Sequence, residues 1–349
     1  MRDYLLIEGA VQTFLRGCRR SHISVYFSEI VLDELVGNFN RDVFKAVTQV
    51  QSLVRKLERM GVRADINGFD VTKEVETYRA HLRQMMEWTE VKAVPYPDVS
   101  PKELVAAAYA GKKPFKDNGE GFKDHLIFQS LRQLARAEEG PGYFVTANVK
   151  DFCANDGTLH PDLRAALPEN CMLTVFENLH DFNAKILVPQ LEALDGIATH
   201  IRDGEFDGFD LTGGLTDLFI AELCDKYNPL DETGTPLDEP SVESVGEAHV
   251  AELDVSRLDD DQLLIELSGR IELELSGFIQ KNDFYLMDEH ESEDIYVSDP
   301  DWNDHVMRVS TSREFHFDMT VVFDEPKEKV DSVTIEIRPL GDMEGGEGE

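Results

Sequence analysis

Two stretches hold side chains whose types and spacing could do chemistry. Gly121-Phe122-Lys123-Asp124-His125-Leu126-Ile127-Phe128 reads as the opening of a helix. Phe122, Leu126, Ile127, Ser130, Leu131 and Leu134 recur at helical spacing, which puts Asp124 in the first turn. Further along, Tyr143-Phe144-Val145-Thr146-Ala147-Asn148 is a short apolar run ending in polar residues, followed by Val149-Lys150-Asp151-Phe152. It reads as a buried parallel strand with polar groups at its C-terminal end. In open α/β sheets, sites form beyond the carboxyl ends of strands. Asp124, Asn148 and Asp151 could therefore meet there. Their carboxylate and carboxamide oxygens are hard donors that suit Mg²⁺ or Mn²⁺. Taken alone, an aspartate near a helix start is more often a dipole-favoured surface residue, and Asp151 could simply cap a turn.

The elements that must position these groups can be read in order. Residues 3–20 form a helix with Leu5, Leu6, Val11, Phe14 and Leu15 on its apolar side. Ile23 to Phe27 is a strand candidate, and Ser28 an N-cap for a helix that starts with Ile30, Val31, Leu32, Leu35 and Val36. Residues 41–60 continue as a charged amphipathic helix and 71–88 as another, and Val91 to Pro95 reads as a short strand or extended piece. Ser100 and Glu103 have capping-box spacing ahead of a helix to Ala110. Gly111 to Glu120 is a basic, Gly/Pro-punctuated loop that leads into the Asp124 helix. A strand at Met172–Phe176 and a helix over 180–195 complete an alternating pattern, which argues for a parallel α/β sheet.

After residue 195 the pattern changes. Residues 196–245 read as a helix and an acidic linker, because Asn228 to Glu247 is rich in Pro, Gly, Ser, Asp and Glu. From about residue 248 the period is that of half-buried strands, about two residues. Ile271–Leu275, Phe315–Val321 and Val333–Ile337 alternate apolar and polar residues, which predicts a smaller antiparallel β-rich domain over 246–340. Residues 341–349 are Gly/Glu-rich and predicted to be a disordered tail.

Charge divides the same way. The chain of 349 residues carries a net −35. Residues 201–349 hold 41 Asp+Glu and 10 Lys+Arg, whereas residues 1–200 hold 28 and 24. A nucleic-acid surface therefore belongs to the first part, since the acidic part repels phosphate. No apolar run reaches ~18 residues, so no transmembrane helix is predicted. The four scattered cysteines suggest neither a disulfide framework nor a structural zinc site, and a cytoplasmic setting is the default expectation.

Residues 1 to about 195 resemble a PIN domain, judged on the ordered set Val31-Leu32-Asp33-Glu34-Leu35, Lys113-Pro114-Phe115, Gly119-Glu120-Gly121-Phe122-Lys123-Asp124, Phe144-Val145-Thr146-Ala147-Asn148 and Asp151-Phe152. The resemblance is to the bacterial branch with a Lys-Pro-Phe loop. It implies a parallel sheet flanked by helices and a divalent-metal-dependent nuclease, mostly acting on RNA. In that family acidic residues bind one or two Mg²⁺ or Mn²⁺ ions that activate a water and stabilise the leaving oxygen.

Carried over, Glu34 matches the helix glutamate, Asp124 the central aspartate and Asp151 the acid before Phe. Asn148 stands where many members have an aspartate, and Thr146 would orient that turn. Asp33 should face away from Glu34. Lys112, Lys113, Lys116 and Lys123 are the candidate phosphate contacts, although the loop lysines could also serve only to solvate it. His125, His160 and His180 lack partners at metal spacing and read as structural or surface residues.

The family's first strand ends in an Asp-(Thr/Ser)-Asn motif, and its aspartate is a ligand. Met1-Arg2-Asp3-Tyr4-Leu5-Leu6 resembles the segment just after that strand. The expectation is a natural start some ten to fifteen codons upstream, about a strand and its turn. The reading is an endoribonuclease that hydrolyses phosphodiester bonds, with RNA or alternatively single-stranded DNA as substrate. No membrane partner is expected. A homodimer and a protein partner for the β-domain are compatible with it. The competing reading is a non-catalytic PIN-like scaffold that binds nucleic acid or a protein through the β-domain.

Overall fold

The computed structural model describes residues 10–62, 70–116, 119–138, 140–211, 213–224, 233–287, 292 and 294–340. Asp3, Leu5 and Leu6, Asp117 and Asn118 of the basic loop, and the tail over 341–349 lie outside the described residues. The chain packs as two units, Met1–Pro189 and Gln190–Glu349. Among the described residues no helix is long and apolar enough to cross a membrane.

The first unit opens with α1 (Ala10–Arg20). Its C-terminal turn closes through Ile23 N–H donating to the Cys18 carbonyl at 2.7 Å, with His22 at φ 54°. That bond consumes residues read as strand, so β1 is only Tyr26–Ser28. Ser28 then caps α2 (Glu29–Arg59), its side chain accepting from Ile30 N–H. The helix runs on through residues 41–59. α3 (Val71–Trp88) follows from an Asp70 cap, then β2 (Lys92–Val94). α4 (Pro101–Tyr109) starts with the expected Ser100–Glu103 capping box.

α5 (Phe122–Ala137) carries Asp124, and β3 (Pro141–Val145), α6 (Val149–Phe152), α7 (Pro161–Arg164) and β4 (Met172–Phe176) complete the site region. α8 (Leu179–Phe182) widens into a π turn over Asn183–Leu187 before α9 (Val188–Asp203). The wider turn sits directly ahead of Pro189, whose missing N–H cannot continue the α ladder.

The expected single parallel sheet takes a different form. β1 pairs with β2, and β3 with β4, both in parallel, as two separate two-stranded sheets. What links the β1 side to the rest is side-chain bonding to α5 rather than a ladder. Tyr26 Oη donates to Glu138 Oε1 at 2.8 Å, and Ser28 Oγ lies 3.5 Å from Ser130 Oγ. β3 is anchored by Phe144, whose ring meets Phe152 edge-on at 5.0 Å above Phe128, Leu159, Leu163 and Leu167.

The second unit is a five-stranded antiparallel sheet. Its strands are β5 (Asp238–Arg257), β6 (Gln262–Gln280), β7 (Ile295–Asp299), β8 (Val306–Asp324) and β9 (Lys329–Pro339). The order is β5-β6-β8-β7, with β9 also pairing β8. The ladder from Gln262↔Asp324 to Gln280↔Val306 runs without a register shift. Leu263, Ile265, Leu267, Ile271, Leu273 and Leu275 are buried, whereas Glu266, Arg270, Glu272 and Glu274 face solvent, the alternation of a one-sided sheet.

The linker reading of 196–245 is corrected here. Asp238–Glu247 belongs to β5. Leu194, Ala198 and Ile201 of α9, with Leu215 and Phe219 of α10 (Gly214–Phe219), share one core with the sheet. Composition misled because β5 is an edge strand with its acidic residues turned to water. Gly269 has no room for a side chain: a Cβ there would stand 2.0 Å from the His249 carbonyl oxygen.

Phe219 is fully buried and meets Phe317 edge-on at 5.0 Å. Phe219→Ala should therefore cost about 3–5 kcal/mol, read by urea unfolding monitored through the β-sheet circular dichroism signal. A loss below about 1 kcal/mol, typical of surface positions, would show that α10 does not close this core.

Candidate active site

The site is assembled by three local devices. The first is the start of α5. Gly121 is its N-cap at φ 118°, and a Cβ there would fall 2.7 Å from the Pro114 carbonyl oxygen. Only glycine combines that φ with so close an approach. The second device is Phe115, 2% exposed, which stacks edge-on against Phe122 at 5.2 Å and lies 5.0 Å from the His125 ring. Burial pushes the His125 imidazole below its usual pKa, so it stays neutral and packs as a flat ring. The Lys-Pro-Phe loop is thus pinned to the helix start that carries Asp124.

The third device is the turn after β3. Thr146 N–H donates to the Phe176 carbonyl at 2.9 Å, tying the ends of β3 and β4 together. Thr146 Oγ1 accepts from Asn148 N–H at 3.1 Å, the orienting role expected of it. Asn148 Nδ2 donates to Asp124 Oδ1 at 2.9 Å. Phe152, 1% exposed, fastens the following turn and leaves Asp151 buried beside it.

These devices bring the sequence-predicted acids into one electrostatic neighbourhood. Asp124 titrates above the usual aspartate range. Burial is the main cause, and the charges of Asp151 and Glu34 add to it, while the Asn148 hydrogen bond and Lys116 oppose it. Asp33 takes no part: Arg79 (3.4 Å) and the Tyr96 hydroxyl (2.8 Å) hold it on another face.

Three of the four candidate phosphate lysines have polar partners within the protein. Lys116 Nζ stands 3.6 Å from Asp151 Oδ2, and Lys123 Nζ 3.3 Å from Glu34 Oε1. Lys113 Nζ donates to the Lys150 carbonyl at 2.8 Å, and Lys112 is exposed. Sequence reasoning missed these pairings because they join residues far apart in the chain. His160 is structural, its Nδ1 accepting from Asp162 N–H at the start of α7.

Among the described residues, no three His, Cys, Asp or Glu side chains stand as a preformed metal cluster. The donor chemistry nevertheless fits a hard divalent cation. Asp124 is hydrogen-bonded to the Asn148 carboxamide, Asp151 is buried, and burial first, with the charges of Asp151 and Glu34 adding, raises the Asp124 pKa.

Parallel strand pairs flanked by helices, with acidic groups gathered beyond the end of β3, define the class. Residues 3–152 match the family model of the PIN domain, and that segment of the chain is a PIN domain. The match spans Glu34, Asp124, Asn148 and Asp151, and ends before the second unit. No curated protein and no solved structure matches the chain.

A partly buried, crowded carboxylate destabilises the fold when ionised. Because the folded-state pKa of Asp124 is raised, that cost is absent below its ordinary 3.8 and grows as pH rises through the folded value. In EDTA, Asp124→Asn should therefore melt higher than the wild type at pH 7, with the advantage shrinking toward pH 4. Mg²⁺ should raise the wild-type Tm more than the variant's. Differential scanning fluorimetry reads both, and a variant that melts lower at pH 7 would refute the crowding.

Proposed function

We propose that the PIN domain of this chain is a divalent-metal-dependent endoribonuclease. The observation that carries this reading is geometric: Asn148 Nδ2 holds Asp124 Oδ1 at 2.9 Å beside the buried Asp151, and burial with the charges of Asp151 and Glu34 raises the Asp124 pKa against Asn148 and Lys116. A protein spends stability on such crowding where a ligand relieves it. Asp124, Glu34, Asp151 and Asn148 would hold Mg²⁺ or Mn²⁺. When bound, the ion supplies Lewis-acid stabilisation of a phosphodiester and lowers the pKa of water.

The remaining work falls to this chain's own groups. Asp124 must be ionised to act, so activity rises with pH through its elevated pKa. Asn148, fixed by Thr146, holds the Asp124 carboxylate in one orientation. Lys116 and Lys123 are the cations nearest the acids, and Lys112 and Lys113 extend the positive edge along the loop. Phosphates of a single strand laid across the helix start would meet this edge. Water would then attack phosphorus in line with the departing ribose oxygen, losing a proton to solvent as the P–O bond to that oxygen breaks, and the departing oxygen would take a proton from solvent.

The near-neutral charge of residues 1–200 permits an RNA to approach here, whereas the strongly acidic remainder repels it. Cleavage of a labelled single-stranded RNA by the full chain should require Mg²⁺ or Mn²⁺ and stop in EDTA. Asp124→Asn should reduce the rate by at least about a hundredfold, the scale of a lost electrostatic group at a reacting centre. RNA that is bound but left intact by the wild type under every divalent ion would favour the scaffold reading instead.

A further inference from the structure

A second feature of the PIN unit lies beside the acids and is not used by them. A cavity of about 570 Å³ opens beyond the carboxyl ends of β3 and β4, lined among others by Lys150, Asn155, Asp156, Val175, Glu177 and Lys185. Its size is that of a small-molecule site, and its position is where open α/β sheets bind ligands. We propose that this cavity seats one unstacked nucleotide of the single-stranded RNA, next to the phosphodiester that is cut, and prefers bases with an exocyclic amine. The placement beside a cut strand rests on the endoribonuclease reading.

The geometry ties the cavity to the site. Lys150 precedes the buried Asp151, and its carbonyl is held by Lys113 Nζ at 2.8 Å. Val175 and Glu177 flank Phe176, whose carbonyl accepts from Thr146 N–H. One side of the cavity thus belongs to the turn that positions Asn148 and Asp151.

The lining carries both kinds of group a nucleotide needs. Lys150 and Lys185 are cations for its phosphate, and Lys185 is placed over the Phe176 ring, 6.0 Å from the centroid. Asp156 is a prepared acceptor. Thr158 N–H and Oγ1 both donate to its Oδ1, at 3.0 and 2.7 Å, and hold its pKa below the usual range. The turn is closed by Ala154 N–H to the Thr158 carbonyl and Gly157 N–H to the Ala154 carbonyl. Those bonds leave Asp156 Oδ2, with Glu177, to accept N–H groups from a ligand.

An inorganic phosphate has no use for two carboxylates, and a metal cation has none for two lysines. A nucleotide matches both sets. Cytosine presents its amine to a carboxylate, whereas uracil presents a carbonyl at that position and is repelled.

The test is fluorescence anisotropy with five-nucleotide labelled oligo(C) and oligo(U), using the full-chain Asp124→Asn protein in EDTA so that nothing is cut. Oligo(C) should bind about tenfold more tightly than oligo(U), within the range of one carboxylate–amine readout. Glu177→Gln should reduce that preference while sparing oligo(U) affinity. Lys185→Ala should weaken both oligonucleotides alike and lower the salt slope by about 0.7, one phosphate contact on a single strand. All three substituted side chains are exposed or partly so, and circular dichroism checks that the variants fold.

Equal binding of the two oligonucleotides, or an unchanged salt slope in Lys185→Ala, would overturn the proposal. If the wild type cuts RNA but the cavity variants bind as their parent does, the cavity assignment fails alone. If the wild type never cuts yet these binding differences appear, the cavity stands and the nuclease reading falls.

Discussion

The candidate site in the first unit depends on holding Asp124 partly buried within the electrostatic reach of Asp151 and Glu34. Like charges in a desolvated setting repel more strongly than in water. The chain opposes that repulsion with one carboxamide hydrogen bond and two long-range lysines. Asn148 fixes Asp124 directly. Lys116 and Lys123 sit on Asp151 and Glu34, the two charges that press on it. The Lys123–Glu34 pair is substantially exposed and so contributes little to stability, whereas Lys116 pairs with the buried Asp151.

The scaffold makes this crowding permanent through backbone and aromatic contacts rather than through a continuous sheet. Gly121 lets the Pro114 carbonyl touch the helix start, and Phe115 wedges the loop between Phe122 and His125. Phe152 buries the turn that carries Asp151. With β1–β2 and β3–β4 as separate pairs, the relation between α2, which carries Glu34, and α5, which carries Asp124, rests on side-chain bonds such as Ser28–Ser130 and Tyr26–Glu138.

The sequence made the acids and their elements legible because helical and strand periods differ so clearly. The α5 stripe, the Thr-Ala-Asn strand end and the strict alternation of β6, β8 and β9 all carry into the structure. What was not legible depends on tertiary contacts. α2 runs through Gly37 and Asn38, where Phe39 stacks on Tyr78 at 4.2 Å and offsets a cost of about 1 kcal/mol for an exposed helical glycine. Residues 238–247 have a linker's composition, but Ser244 bonds Glu274 across the ladder at 2.8 Å and the stretch joins the sheet. The lysine–acid pairs and the cavity at the end of β4 join residues from separate elements, which no local pattern encodes.

The central claim is that Asp124, Asp151, Glu34 and Asn148 are one site. Titration of Mn²⁺ into isotopically labelled protein, followed by paramagnetic broadening of side-chain carboxyl and carboxamide resonances, tests it directly. Substoichiometric Mn²⁺ should first broaden Asp124, Asp151 and Glu34 with the Asn148 carboxamide, ahead of Asp33 in its Arg79–Tyr96 clasp. Broadening spread over the acidic second unit, with Asp124 and Asn148 left sharp, would contradict the account.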